Sequence, residues 1–308
     1  MNLNLREWAL PVYTVLMQLS VGGIFTLWLI RAAALRRYSH DELDRMTRMP
    51  MLVIFFTVLV AMIGSHLHLS HPLSSFLAVL NVRHSWLSRE ILFSVLFFAS
   101  MYALVYLEWF VQGRQRLKTA AGWLTIALGL ANLYCMGHIY LLPTQAAWDS
   151  PLTIVSFYAT ALLLGPFTLI TLLAMDFKVT EAGAAGGPQR HFGLIRESLP
   201  RLGAGVAGAA ALALLVAGLQ IASLRQGDAL AQVSLQLLLG FYRPLLLMRV
   251  AFLLAGVAWL AFPMVQVIRQ VRSPGEILTP VYVSCLLALV GEILGRFMFY
   301  ATHVRVGL

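Results

Sequence analysis

Eight separate stretches of this chain are apolar for long enough to cross a bilayer, at residues 8–30, 51–69, 91–111, 119–142, 151–175, 202–224, 250–268 and 277–302. A transmembrane helix needs about 17–25 predominantly apolar residues. The spacing therefore predicts an all-α polytopic integral membrane protein of eight helices, with residues 1–308 forming a single membrane domain. Composition agrees: 60% of residues are hydrophobic and 11% charged, with a mean hydropathy of +0.80. A soluble domain carries about a quarter charged residues.

An even number of spans puts both termini on one side, and basic residues indicate which. Fourteen of the 22 Lys and Arg residues belong to the first, third, fifth and seventh connections, and seven to the opposite face. The positive-inside rule then predicts a cytoplasmic basic face and outward termini, periplasmic in a Gram-negative inner membrane. The same scatter argues against nucleic acid as the reason for a net charge of +9. The opening "MNLNLREWALPVY" lacks a basic n-region and a small-residue cleavage site, so the first span is expected to be retained.

The connections differ by face. Those on the basic face are polar, and "VTEAGAAGGPQR" reads as a flexible linker. Two on the opposite face are long and partly apolar, and residues 230–239 form an amphipathic stretch that suits an interfacial helix or a partner surface. Cys135 and Cys285 stand alone within apolar runs. No spacing suits a metal or an iron–sulfur cluster, so no metal ligands are assigned.

Ionisable residues inside a membrane cost about 2.5–3.5 kcal/mol each on insertion scales and are candidates for function. In "GEILGRFMFYATH", Glu292 and Arg296 have i,i+4 spacing on one helix face, with Phe299 and His303 nearby and Tyr300 alongside. The spacing predicts a buried Glu292–Arg296 pair, which would either lock the last helix against its neighbours or shape a site. The second span ends "GSHLHLSHP", with His66, His68 and His71, and the third begins "WLSREI". There Ser88 is a candidate N-cap, and Glu90 is either a first-turn carboxylate or a reactive one. Gln18 and His138 add polar groups in the first and fourth spans. Apart from Gln18, which lies nearer the middle, these residues gather in the outer half.

Histidine and carboxylate beside aromatic residues suit an amphiphile whose polar head loses protons, and a quinol is the obvious candidate. The histidines form no clear bis-histidine pair, so no haem is expected. The electrons would then need an acceptor in another subunit, making this protein an anchor and quinol site rather than a complete enzyme.

These residues carry a family resemblance. "REWALPVYTVLMQLSVGG", "HLHLSHPLSSFLAVLN", "SWLSREI" and above all "GEILGRFMFYATHVRVGL" resemble segments of the membrane-anchor subunit of anaerobic dimethyl sulfoxide reductases, the DmsC family. Gln220 and Arg249 fall in similar contexts. The resemblance implies eight helices, menaquinol as the bound quinone, and His68 and Glu90 as the residues of quinol binding and oxidation. Gln18, Arg249, Glu292, Arg296, Tyr300 and His303 are expected to support them. It implies two partners on the periplasmic face, a four-cluster ferredoxin-like iron–sulfur subunit and a molybdopterin catalytic subunit that performs the terminal reduction. The sequence departs from the family at Ser70, His71 and Arg89, which leaves the terminal acceptor open. Two other readings stand beside this one. A transporter would draw on a helix interrupted at Gly165–Pro166, and a structural tether would bind no quinol.

Overall fold

Each predicted span is a helix, and most helices run well past the apolar stretch that marks them. The computed structural model describes residues 9–68, 79–183, 189–302 and 304. Among these residues the order is α1 Ala9–Ala34, α2 His40–His68, α3 Trp86–Phe110, α4 Gln115–His138, α5 Pro151–Gly183, α6 Gln189–Gln226, α7 Ala229–Leu239, α8 Arg243–Ile268 and α9 Leu278–Ala301. All but α7 are long and apolar enough to cross a membrane. The amphipathic stretch at 230–239 is α7, with Ala231 and Ser234 turned inward.

The expected boundaries are shortest where polar sequence is helical. α2 begins at the fifth residue of "RRYSHDELDRMTRM" because Ser39 and Glu42 form a capping box. The Ser39 amide donates to Glu42 Oε2 at 2.8 Å and the Glu42 amide to Ser39 Oγ at 3.4 Å. α6 begins before residue 202 because its amphipathic start buries Leu194, Ile195 and Leu199. α8 begins at Arg243 with proline in its first turn, where the missing amide hydrogen costs nothing. The expected linker is helical as far as Gly183, and residues 184–188 lie outside the described part.

α1 and α5 form the centre: 78% of the apolar window of each is buried, against 17% for α8. They cross closely at two glycines. A methyl on Gly22 would collide with the Ala161 carbonyl, and one on Gly165 with the Gly22 carbonyl. Small residues permit this approach, and in lipid such packing replaces the hydrophobic drive between helices. α5 continues through Gly165–Pro166 without a break, so the interrupted helix expected of a transporter is not formed there. Around this pair the core is filled by Met17, Ile24 and Trp28 of α1, Phe97 and Met101 of α3, and Phe157 and Phe167 of α5.

The alternation of spans sorts the connections into two groups. α1–α2, α3–α4, α5–α6 and α8–α9 are joined on the basic face, and α2–α3, α4–α5 and α6–α7–α8 on the opposite face. The buried charges lie towards those two ends.

Candidate functional site

At the opposite face, α3 is capped by Ser85, whose side chain accepts from the Ser88 amide. Ser88 is therefore inside the helix, one turn later than expected of a cap. Glu90 in turn sits beyond the first turn, about 6 Å along the axis, and points inward with 8% of its surface exposed. Tyr13 of α1 donates to Glu90 Oε1 at 3.0 Å. The same phenol contacts Ser94 Oγ at 3.1 Å, and Ser94 donates to Asn132 Oδ1 of α4 at 3.0 Å. No cation among the described residues lies within ion-pair distance of Glu90. Its neighbour Arg89 turns outward instead, donating to the Val82 and Arg83 carbonyls at 2.8 and 2.7 Å and stacking 4.1 Å from the Trp86 ring.

The second polar group lies deeper. Glu292 is nine residues before the end of α9, about 14 Å from it. Its partner is not the Arg296 one turn away. Arg249 of α8 lies 3.2 Å from Glu292 Oε1, and Thr160 of α5 donates to Oε2 at 2.5 Å. The expected Glu292–Arg296 pair is thus replaced by a bond between helices. The reason is packing: α8 runs alongside α9 and Gly295 lets the Arg249 side chain pass, since a methyl there would press on its guanidinium. Arg296, 5% exposed, lays its guanidinium 3.8 Å from the Phe157 ring centre and 5.4 Å from that of Phe299. A desolvated cation over an aromatic face gains about 2 kcal/mol.

Aromatic residues join the two groups. Tyr140 and Tyr300 share a hydrogen bond of 2.7 Å, and Trp148 Nε1 donates to the Phe299 carbonyl at 2.7 Å. Both tyrosines lie within electrostatic reach of Glu90, and Thr14 is a further neighbour of the Tyr300 hydroxyl. Burial first, and then the Tyr300 hydroxyl, push the Tyr140 phenol well above its ordinary range, so it stays a neutral donor and acceptor. Two small adjoining crevices open here. One of about 40 Å³ is lined by Ser156, Thr160, Gln220, Arg249, Glu292 and Arg296, and one of about 80 Å³ by Leu224, Leu246, Met298 and Phe299 among others. Ordinary small-molecule sites measure about 300–1,000 Å³, so a bicyclic ring would enter only with side-chain rearrangement.

Several buried polar atoms at this end find no partner among the described residues. Both amide atoms of Gln18, which is 0% exposed, are among them, as are Asn132 Nδ2 and His138 Nδ1. The His138 ring lies 4.1 Å from that of Trp86 and 4.4 Å from that of Tyr134. His68 ends α2, but its side chain lies outside the described part, as do His71 and His303.

A larger cavity, about 620 Å³, is at the other end, on the basic face. It is lined by Asp44, Arg45, Arg48, Gln115 and Lys118, which suits water and ions better than an apolar ring. Beneath it lies a buried tetrad that the sequence did not reveal. Arg31 meets Asp44 at 2.6 Å and Glu108 at 3.2 Å, and Lys118 meets the same two carboxylates at 2.7 and 3.3 Å. The Arg31–Glu108 approach is an ion-pair distance without hydrogen-bond alignment, which leaves Glu108 Oε1 unbonded. These charges stand at the ends of α1 and α3 and the starts of α2 and α4. Read singly they look like topology signals; two charges of each sign at four adjoining helix ends were the available clue. Ser94 also had a signal, being one turn from Glu90. Tyr13 and Asn132 had none beyond polarity.

The protein matches known proteins along its whole length. The family described as DMSO reductase anchor subunit (DmsC) matches residues 1–302. The anaerobic dimethyl sulfoxide reductase chain YnfH of Escherichia coli is 28% identical over 98% of this sequence and 97% of its own length. The C subunit of the anaerobic dimethyl sulfoxide reductase of Haemophilus influenzae is 27% identical over 100% of this sequence and 99% of its own, and the C subunit of the Escherichia coli enzyme is 28% identical over 98% and 97%.

Proposed function

The protein belongs to the DMSO reductase anchor subunit family and is a multi-pass membrane anchor, and from that premise we propose that it is also the menaquinol-oxidising subunit of its complex. The observation that carries this reading is Glu90, a buried carboxylate held by a neutral phenol rather than a cation. A carboxylate locked in an ion pair has little reason to change charge. One that, among the described residues, rests on Tyr13 alone is free to take a proton.

The residues fit a quinol head group. Phe157, Phe299, Trp148 and Tyr140 make an aromatic wall, the crevice past Met298 and Leu246 is apolar, and His138 Nδ1 and the Gln18 amide are buried polar groups without a partner among the described residues. A bound menaquinol supplies two electrons and two hydroxyl protons. Glu90 accepts one hydroxyl proton, and His68, at the end of the neighbouring helix, is assigned the hydrogen bond to the other hydroxyl and the second proton. Arg296 offers N–H groups to the crevice, while Thr160 and Arg249 hold Glu292 in place. Tyr300 and Tyr140 keep the two polar groups in register. The basic face is assigned to the cytoplasm and this site to the periplasmic side of the inner membrane, so protons leave outward. Electrons pass to an iron–sulfur partner docked on that face, and from it to a molybdopterin catalytic subunit.

The test compares two electron donors on the assembled complex. In Glu90→Gln, reduction of the terminal acceptor driven by a menaquinol analogue falls at least about a hundredfold, the scale of a lost general base. Reduction driven by a dye that feeds the partner subunits directly stays at the wild-type rate. Wild-type quinol-driven rates in both Glu90→Gln and His68→Arg would remove the site assignment and leave a structural tether.

A further inference from the structure

The hydrogens along the series Glu90, Tyr13, Ser94, Asn132 do not add up in the arrangement with an ionised Glu90. There are three oxygen–oxygen contacts, of 3.0, 3.1 and 3.0 Å. Tyr13 and Ser94 bring one hydroxyl hydrogen each. If Tyr13 donates to Glu90 and Ser94 to Asn132 Oδ1, the central contact between the two hydroxyls contains no hydrogen. In a buried site such a contact is repulsive and unrelieved by water.

Only the two ends of the series can supply the third hydrogen, and they do so in opposite directions. A protonated Glu90 donates to Tyr13, Tyr13 to Ser94, and Ser94 to Asn132 Oδ1, with every contact filled. An ionised Glu90 fills them by the reverse order, provided that the Asn132 amide turns by 180° and its NH₂ donates to Ser94. Asn132 Nδ2, which has no partner among the described residues, is the group that this second order uses. Asn132 is 0% exposed, so no solvent competes for either amide atom.

We infer that Ser94 and Asn132, through Tyr13, form a reversible hydrogen-bond relay that switches direction with the charge of Glu90 and stabilises both states. This rests on the reading of Glu90 as proton acceptor. The relay carries no proton onward, because its last member is an amide that does not titrate. When Glu90 gains a proton, two hydroxyls and one amide turn, and no covalent bond beyond Glu90 changes. The proton, held on Oε1 and pointed at Tyr13, leaves only when the carboxyl group turns it away from the relay. Among the described residues, the titratable groups within electrostatic reach of Glu90 are Tyr13 from α1, Cys135 from α4, Tyr140 from the connection after it and Tyr300 from α9. None of these four is a cation, so among the described residues the relay, and not a counter-charge, compensates Glu90. Ser94 and Asn132 are positioning residues.

The experiment is infrared difference spectroscopy on the intact complex in lipid, stepping pH and quinone redox state, in wild type, Glu90→Gln, Asn132→Leu, Ser94→Ala and Ser94→Thr. The protonated Glu90 band is the one lost in Glu90→Gln, and the side-chain amide band is the one lost in Asn132→Leu. The expected result is that both bands change together in the wild type. In Ser94→Ala the amide band no longer follows Glu90, and quinol-driven turnover falls about three- to tenfold, the worth of one hydrogen bond. Ser94→Thr, which keeps the hydroxyl, restores both. A Glu90 band that titrates while the Asn132 band stays still overturns the relay and leaves the proton-acceptor role intact. The absence of any Glu90 band under quinol, with wild-type turnover in Glu90→Gln, overturns that role and the relay with it.

Discussion

The two ends of this helix bundle bury charge in opposite ways. At the basic face, Arg31 and Lys118 stand against Asp44 and Glu108, two of each sign, and Gln115 and Thr47 add hydrogen bonds. At the opposite face, Glu90 has a phenol for a partner, Arg296 has aromatic rings, and several amide and imidazole atoms have none among the described residues. The first arrangement fixes four helix ends and gains nothing from a change of charge. The second leaves groups able to bind a ligand or accept a proton. Buried polarity is therefore no sign of function by itself; what distinguishes the ends is whether the charges are already compensated.

Breaking each end should separate stability from activity. Lys118→Met leaves two buried carboxylates facing one arginine, and removing one partner of a buried pair costs about 3–5 kcal/mol. Thermal unfolding in detergent should show that loss, while quinol-driven turnover per folded complex stays unchanged. Glu90→Gln should do the converse, with a large loss of turnover and an unfolding midpoint close to wild type. If Lys118→Met lost turnover per folded complex, or Glu90→Gln lost stability on the same scale, the contrast between the ends would fail.

Arg249→Met tests the middle case. It leaves Glu292 with Thr160 as its remaining partner among the described residues and costs about 1–3 kcal/mol, the penalty for an under-satisfied buried group. A rise in the quinol concentration needed for half-maximal turnover, beyond the stability loss, would assign Arg249 to the site. An unchanged value would make the Arg249–Glu292 pair a helix clamp like the tetrad. The smallest effect belongs to Tyr300→Phe, which removes the 2.7 Å bond to Tyr140. About 0.5–1.5 kcal/mol of stability and a few-fold loss of turnover are expected. Tyr140→Phe in the same background should add little, because the two hydroxyls share one interaction.

How far the site was legible follows the range of each interaction. Glu90 stood out because a carboxylate near the start of an apolar run is visible within a few residues. Glu292 and Arg296 stood out for the same reason, but their pairing was misread. An i,i+4 spacing proposes a local bond, whereas Arg249, 43 residues away, approaches past Gly295. The Ser85 cap was missed by one turn because Ser85 and Ser88 lie three residues apart and the choice depends on how the connection enters the helix. The tetrad was missed because each member is ordinary at its own helix end.

Local windows of sequence were enough to establish a helical membrane protein of eight spans and to say which connections share a face, because hydropathy and basic-residue bias are summed over a few residues and need no partner. The glycines of α1 and α5 were visible too, though not their meeting. Which charge meets which, where helices extend into polar sequence, and how Tyr13, Ser94 and Asn132 from three helices join Glu90 came from the folded arrangement alone. Those outcomes depend on the rotation and depth of one helix against another. That is set by side-chain packing between segments far apart in the sequence, and no local window contains it.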